Sequence, residues 1–216
     1  MAGDYLVDRS TATILGAVGL LILFVTWKSR SGKFEPIAPV GWVLTGFYFF
    51  NDIGFYLAHD DVVLVVMSAI TLPGAFAIAI WERQVSEGKS ANALRWFRGT
   101  VAVAGLPYLM IAHIPMLNVL AIWFVAFQVA LFYRLSGTGD IQLGDTWVET
   151  SSGRVLWDDW DGNRWFSAET IGEFPFQTEL VMSDGTFIGI NFVLACTALQ
   201  SMVIFIGAIA VLDLSL

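Results

Sequence analysis

The chain has 216 residues, 56 % of them hydrophobic and only 14 % charged, with 11 Lys+Arg against 19 Asp+Glu and a formal net charge of -8. Soluble domains carry roughly 25 % charge, so this composition excludes a disordered chain and points to the bilayer. A single Cys excludes an internal disulfide scaffold, and the acidic balance excludes a nucleic-acid partner.

Crossing a membrane as a helix takes about 20 mostly apolar residues, and the chain offers a series of such runs. Met1–Arg9 carries Asp4 and Asp8. It lacks the positive start of a cleaved signal, so the first run, Thr11–Trp27, reads as a signal-anchor. Ile37–Tyr56 follows, interrupted near its end by Asn51 and Asp52, and then comes Val62–Trp81. Lys28–Glu35 and Glu82–Arg98 are the basic connections, which favours the cytoplasmic side for both. The N-terminus and the His59-Asp60-Asp61 turn then fall outside. Gly99–Ala112 is the fourth run, and Ile114–Tyr133 follows it directly after His113. Run length alone fits a plain transmembrane helix at Ile114–Tyr133. Asn118, Gln128 and Arg134 mark wetter places and fit an amphipathic or re-entrant helix on the outer face.

Ser136–Thr186 is polar, with ten acidic residues and two Arg, and is rich in Trp: Trp147, Trp157, Trp160 and Trp165. Its acidity resembles the solvated surface of a protein from a high-salt cell. Thr146–Glu149 and Arg154–Trp157 alternate like short strands. Phe176–Met182 and Thr186–Phe192 flank Ser183-Asp184-Gly185 and predict a β-hairpin. The Trp residues suit anchoring in the headgroup layer or stacking on a ligand. The last apolar run is Phe187–Leu212. The sequence thus reads as 1–135 transmembrane helices with an outer-face helix, 136–186 an acidic Trp-rich segment, and 187–216 a cysteine-bearing helix.

Polar groups inside apolar runs are the functional pointers of a membrane protein. At about 100° per residue, Cys196, Gln200, Thr197 and Ser201 share one arc of a continuous helix. A thiol on a polar arc suits a nucleophile, provided a base or cation makes it a thiolate; His59 and His113 are candidates. The same arc equally suits a helix–helix contact. Asn51-Asp52 with His59, Asp60 and Asp61 suits either the membrane interface or the lining of a proton path. There is no phosphate-binding glycine loop, no dinucleotide fingerprint and no metal-ligand spacing, so no cofactor is implied.

Val193-Leu194-Ala195-Cys196-Thr197-Ala198-Leu199-Gln200-Ser201-Met202, followed by Val203–Gly207, resembles the cysteine motif of the exosortase/archaeosortase family. Phe176–Gly185 resembles the stretch preceding that cysteine, and Trp42–Phe47, Ser68–Pro73 and Ala102–Pro115 resemble the early spans. The resemblance runs through most of the chain in order and weakens in Ser136–Glu173. It implies a multispanning membrane cysteine transpeptidase active on the extracytoplasmic side of an archaeal cell membrane. Its partners would be surface proteins with a C-terminal tripartite signal: a Pro-Gly-Phe-type motif, a hydrophobic helix and a basic cluster. Cys196 would attack near the motif, and a lipid amine would resolve the acyl-enzyme.

This places Ser136–Thr186 outside and implies an all-α polytopic fold. That fold would have about five transmembrane helices, an outer-face helix and a small β-hairpin-containing segment, with Asp213–Leu216 reaching the cytoplasm. The family pairs its Cys with an Arg and a further Arg or His on later spans, whereas no Arg or Lys follows Cys196 here. The expectation is therefore an N-terminal portion of a longer protein, inactive by itself, with a degenerate copy as the alternative. The competing reading is a non-catalytic membrane protein that binds a lipid or conducts a small solute.

Overall fold

The computed structural model describes residues 5–29, 35–85, 89–137, 139–165 and 174–212, with residues 89, 90 and 200 described as backbone only. Arg30, Lys33 and the Asp213–Leu216 tail lie outside the described residues. The chain divides into two compact units, Met1–Leu109 with Val203–Leu216, and Met110–Met202.

In the first unit, helix α1 spans Arg9–Lys28. Asp8 is its N-cap, accepting from the Thr11 amide at 2.9 Å and from the Thr11 hydroxyl. Those two donors, the hydroxyl foremost, hold the Asp8 carboxyl below its ordinary value. A 3-10 turn, Glu35–Ile37, leads into α2, Ala38–Phe50, with Pro39 in its first turn, where a missing N–H costs nothing. The chain then breaks, and α3, Ile53–Ala58, follows. Asp61 caps α4, Val62–Gln84, accepting from the Leu64 amide at 3.0 Å. Helix α5 spans Lys89–His113. Small residues let the helices approach closely, as in membrane bundles. A Cβ on Gly19 would lie 2.8 Å from the backbone nitrogen of Thr45 on α2, so only glycine fits there. Leu23, Trp42, Ala79 and Ala102 form the core of this unit. Beside it lies a buried ion pair, Arg98 with Glu82, and the Trp42 indole donates to the same carboxylate at 2.6 Å.

The second unit is a helix against a sheet. Helix α6, Pro115–Leu135, is followed by β1 Ile141–Thr150, β2 Gly153–Leu156, β3 Phe176–Met182 and β4 Phe187–Phe192. The strands form one antiparallel sheet in the order β2-β1-β3-β4, with Trp147 opposite both Leu156 and Gln177. Val119 and Ile122 of α6 pack on Val148, Trp157, Trp160 and Phe176, and Ala126 and Ala130 pack on Ile141 and Leu180. A 3-10 turn, Leu194–Thr197, and helix α7, Leu199–Ala210, complete the described chain.

The fold corrects the sequence expectation of an all-α bundle with about five spans, an outer-face helix and a small hairpin. Among the described residues only α1, α4 and α6 are long and apolar enough to cross a membrane, which fits a multi-pass membrane protein. The run read as the outer-face helix is therefore one of the three. Ile37–Tyr56 falls short because it breaks at Asn51 into helices of 13 and 6 residues. The polar first half of α5, with Arg95 and Arg98, leaves too short an apolar remainder. Phe187–Leu212 is a strand, a turn and a 12-residue helix. The hairpin is half of a four-stranded sheet, because β1 pairs with β3.

Candidate functional site

Cys196 sits where the last strand gives way to the last helix. After β4 the chain enters the Leu194–Thr197 turn, in which the Cys196 amide donates to Val193 O at 2.9 Å. Ala198 then takes a left-handed conformation, φ 49 and ψ 15, and α7 starts at the next residue. The continuous helix that would have carried Cys196, Thr197, Gln200 and Ser201 on one arc is thus interrupted between the second and third of them.

The four side chains divide accordingly. Cys196 is exposed and unoxidised, and among the described residues its thiol makes no hydrogen bond or ion pair. Thr197 is buried and already committed: its hydroxyl donates to Leu194 O at 2.6 Å and accepts from the Leu199 amide at 3.3 Å. It ties the turn to the first turn of α7, which is the ordinary use of a hydroxyl at a helix start. Ser201 is exposed, and the side chain of Gln200 lies outside the described residues. A Thr accepting from the amide two residues on forms an ST-turn, a local use of the hydroxyl that the surrounding apolar run obscured.

The other sequence candidates have structural employment. Asn51 is fully buried, accepting from the Val7 amide at 2.9 Å and donating to Val7 O at 3.2 Å. It pins the approach to α1 onto the end of α2. Asp52 precedes α3 without capping it. The His59 Nδ1 lies 2.8 Å from Phe55 O, and its ring lies against Phe55 at 4.2 Å between centroids. Asp60 turns the chain with φ 57, and Asp61 caps α4. His113 is half-buried at the end of α5. Among the described residues no group of three or more His, Cys, Asp or Glu side chains is arranged to hold a metal ion.

Two of the four Trp residues of the acidic segment are core rather than anchors or stacking platforms. Trp157 and Trp160 are buried with Phe176, their rings 5.5 to 6.0 Å apart. Trp147 is half-buried with the Arg154 guanidinium 5.6 Å from its ring, and Trp165 is exposed. Chemically, the arrangement offers one accessible soft nucleophile on a tight turn between a sheet edge and an apolar helix. A thiol of that kind acts as thiolate only with a base or cation beside it, and among the described residues none is hydrogen-bonded to or ion-paired with Cys196. Comparison with protein-family models, with curated proteins and with solved structures returns no match.

Proposed function

We propose that this chain carries the nucleophile of a membrane cysteine transpeptidase of the exosortase/archaeosortase type. The observation that carries this reading is the Val193–Met202 motif, whose cysteine stands exposed on the strand-to-helix turn. The substrate would be a surface protein with a C-terminal Pro-Gly-Phe-type sorting signal. The Cys196 thiolate adds to the carbonyl carbon of the scissile peptide bond. The C–N bond breaks, and the leaving amine takes a proton from the group that deprotonated the thiol. The thioester is then attacked by a lipid amine, which gives its proton to that same group, the C–S bond breaks, and the substrate ends lipid-linked with the thiolate restored. The reaction needs a cation to lower the thiol pKa and bind the oxyanion, and among the described residues none is bonded to Cys196.

The test is a reporter with a tripartite tail, expressed in cells carrying the full-length gene. Cys196→Ala and Cys196→Ser are each expected to abolish processing. Unchanged processing in either variant overturns the reading. The isolation of Cys196 among the described residues favours one other reading, a non-catalytic membrane protein that binds a lipid or passes a small solute. In that case Cys196→Ser is harmless and function tracks Asp52.

A further inference from the structure

The first unit holds a cleft of about 680 Å³ lined by Trp27, Lys28, Asn92, Arg95 and Trp96, with Val211 and its neighbours at the end of α7. We infer that this cleft binds the phosphate group of an anionic membrane lipid. The inference stands independently of the transpeptidase reading, because it uses neither Cys196 nor the sheet.

The charge of the lining is one-sided. Among the described residues it contains two cations and an amide but no Asp or Glu. Arg98, Arg134 and Arg154 each have a carboxylate partner. Among the described residues, Lys28 and Arg95 have none. Arg95 is held in place by its neighbour, since Nη2 donates to Trp27 O at 3.3 Å. Lys28 is exposed, with its ammonium 5.7 Å from the Trp27 ring centroid. Two helix C-termini, those of α1 and α7, also border the cleft. Each carries about half a negative charge, which together offset roughly one of the two whole cations. Among the described residues a net positive charge remains for an anion.

The position of the cleft chooses the source of that anion. Trp27 and Lys28 are the last residues of a helix able to cross a membrane. That is where indoles and snorkelling cations meet lipid headgroups. The lining also exposes apolar surface along which an acyl chain would leave: Trp96 on α5 and Leu212 just after α7 are both exposed. Close packing forms the floor. Gly99 leaves room for Val211 and for the Trp27 indole, which a Cβ there would approach to 2.6 Å at Nε1. The Trp96 indole N–H is bound to Ala208 O at 3.1 Å. A phosphodiester with an acyl tail satisfies both the cations and the apolar exits, whereas a free phosphate satisfies only the cations.

The experiment uses the full chain in detergent, titrated with short-chain phosphatidylglycerol, phosphatidylcholine and inorganic phosphate, with binding read by native mass spectrometry and Trp fluorescence. Phosphatidylglycerol is expected to bind more tightly than phosphatidylcholine. Lys28→Gln is expected to weaken it about fivefold, the worth of one basic residue near a charged headgroup. Arg95→Gln is expected to weaken it at least as much, and Arg95→Lys to recover part of the loss. Lys28 is exposed, so its variant tests the idea even where Arg95→Gln fails to fold. Equal binding of the two lipids, or phosphatidylglycerol binding unmoved by Lys28→Gln, overturns the proposal. Displacement of the lipid by millimolar inorganic phosphate overturns its lipid assignment.

Discussion

Asn51 shows how a polar residue in an apolar run can be structural. Its side-chain amide has one acceptor and one donor facing the backbone of Val7, and both are used, at 2.9 and 3.2 Å. The residue is fully buried, so removing it leaves the Val7 amide and carbonyl without partners. A buried unsatisfied group costs about 1–3 kcal/mol. Asn51→Leu is therefore expected to destabilise the protein by about 2 kcal/mol, read as a lower unfolding midpoint in detergent. An unchanged midpoint would mean that the N-terminal approach is not pinned there. The sequence made Asn51 conspicuous but did not distinguish this clamp from a pocket lining, because both place an amide in an apolar setting. Thr197 poses the same ambiguity and resolves it the same way, through two local backbone partners. Cys196 was legible as the lone thiol of the chain, whereas its exposure and isolation depend on where the chain turns.

At the scale of elements, the decisive feature is the break between the 3-10 turn and α7. Phe187–Leu212 is uncharged throughout and mostly apolar, and composition of that kind suits a lipid-buried helix and a sheet strand equally. Backbone geometry separates them: Gly189 has φ 78 within β4, and Ala198 has φ 49 just before α7. A left-handed alanine costs about 1–2 kcal/mol that a glycine does not incur, less the entropy glycine loses on folding. Ala198→Gly is therefore expected to stabilise the protein by about 0.5–1 kcal/mol. A continuous helix through this position predicts the opposite sign, a loss of about 1 kcal/mol for glycine in a helix interior. Equilibrium unfolding of the two proteins side by side decides between them. The strands themselves were easier to read. β3 matched the Phe176–Met182 flank of the expected hairpin, and Ser183-Asp184-Gly185 marked the turn into β4. The pairing of β1 with β3 was not legible, because the burial of Trp157, Trp160 and Phe176 against α6 brings those strands together across a long loop.

For the whole molecule, low charge correctly indicated a membrane protein, but counting apolar runs overstated the number of spans. The physical reason is that a run can be apolar because lipid surrounds it or because protein does. Helix α4 belongs to the first kind, with Val62, Val63, Val66, Met67, Ile70, Phe76 and Ile80 all exposed. Helix α6 is mixed. Pro115, Asn118, Val119, Ile122, Ala126 and Ala130 recur every three or four positions and are buried, whereas Phe124, Phe127, Leu131 and Phe132 are exposed. The buried stripe faces a sheet whose outer strands, β2 and β4, each have a neighbour on one side only. Unpaired strand edges are not tolerated among lipid chains, where each unsatisfied backbone group costs several kcal/mol. The sheet therefore lies in water or among headgroups. Ser151, exposed in the turn between β1 and β2, reports its position. In a Cys196→Ala background, Ser151→Cys is expected to react with a membrane-impermeant maleimide from one side of sealed vesicles, and not from the other. Vesicles of opposite orientation then tell which side carries the sheet, and labelling from the cytoplasmic side alone would count against the transpeptidase reading. A cysteine at 151 that only a membrane-permeant reagent reaches would put the sheet within the bilayer, and the argument from its open edges would fall.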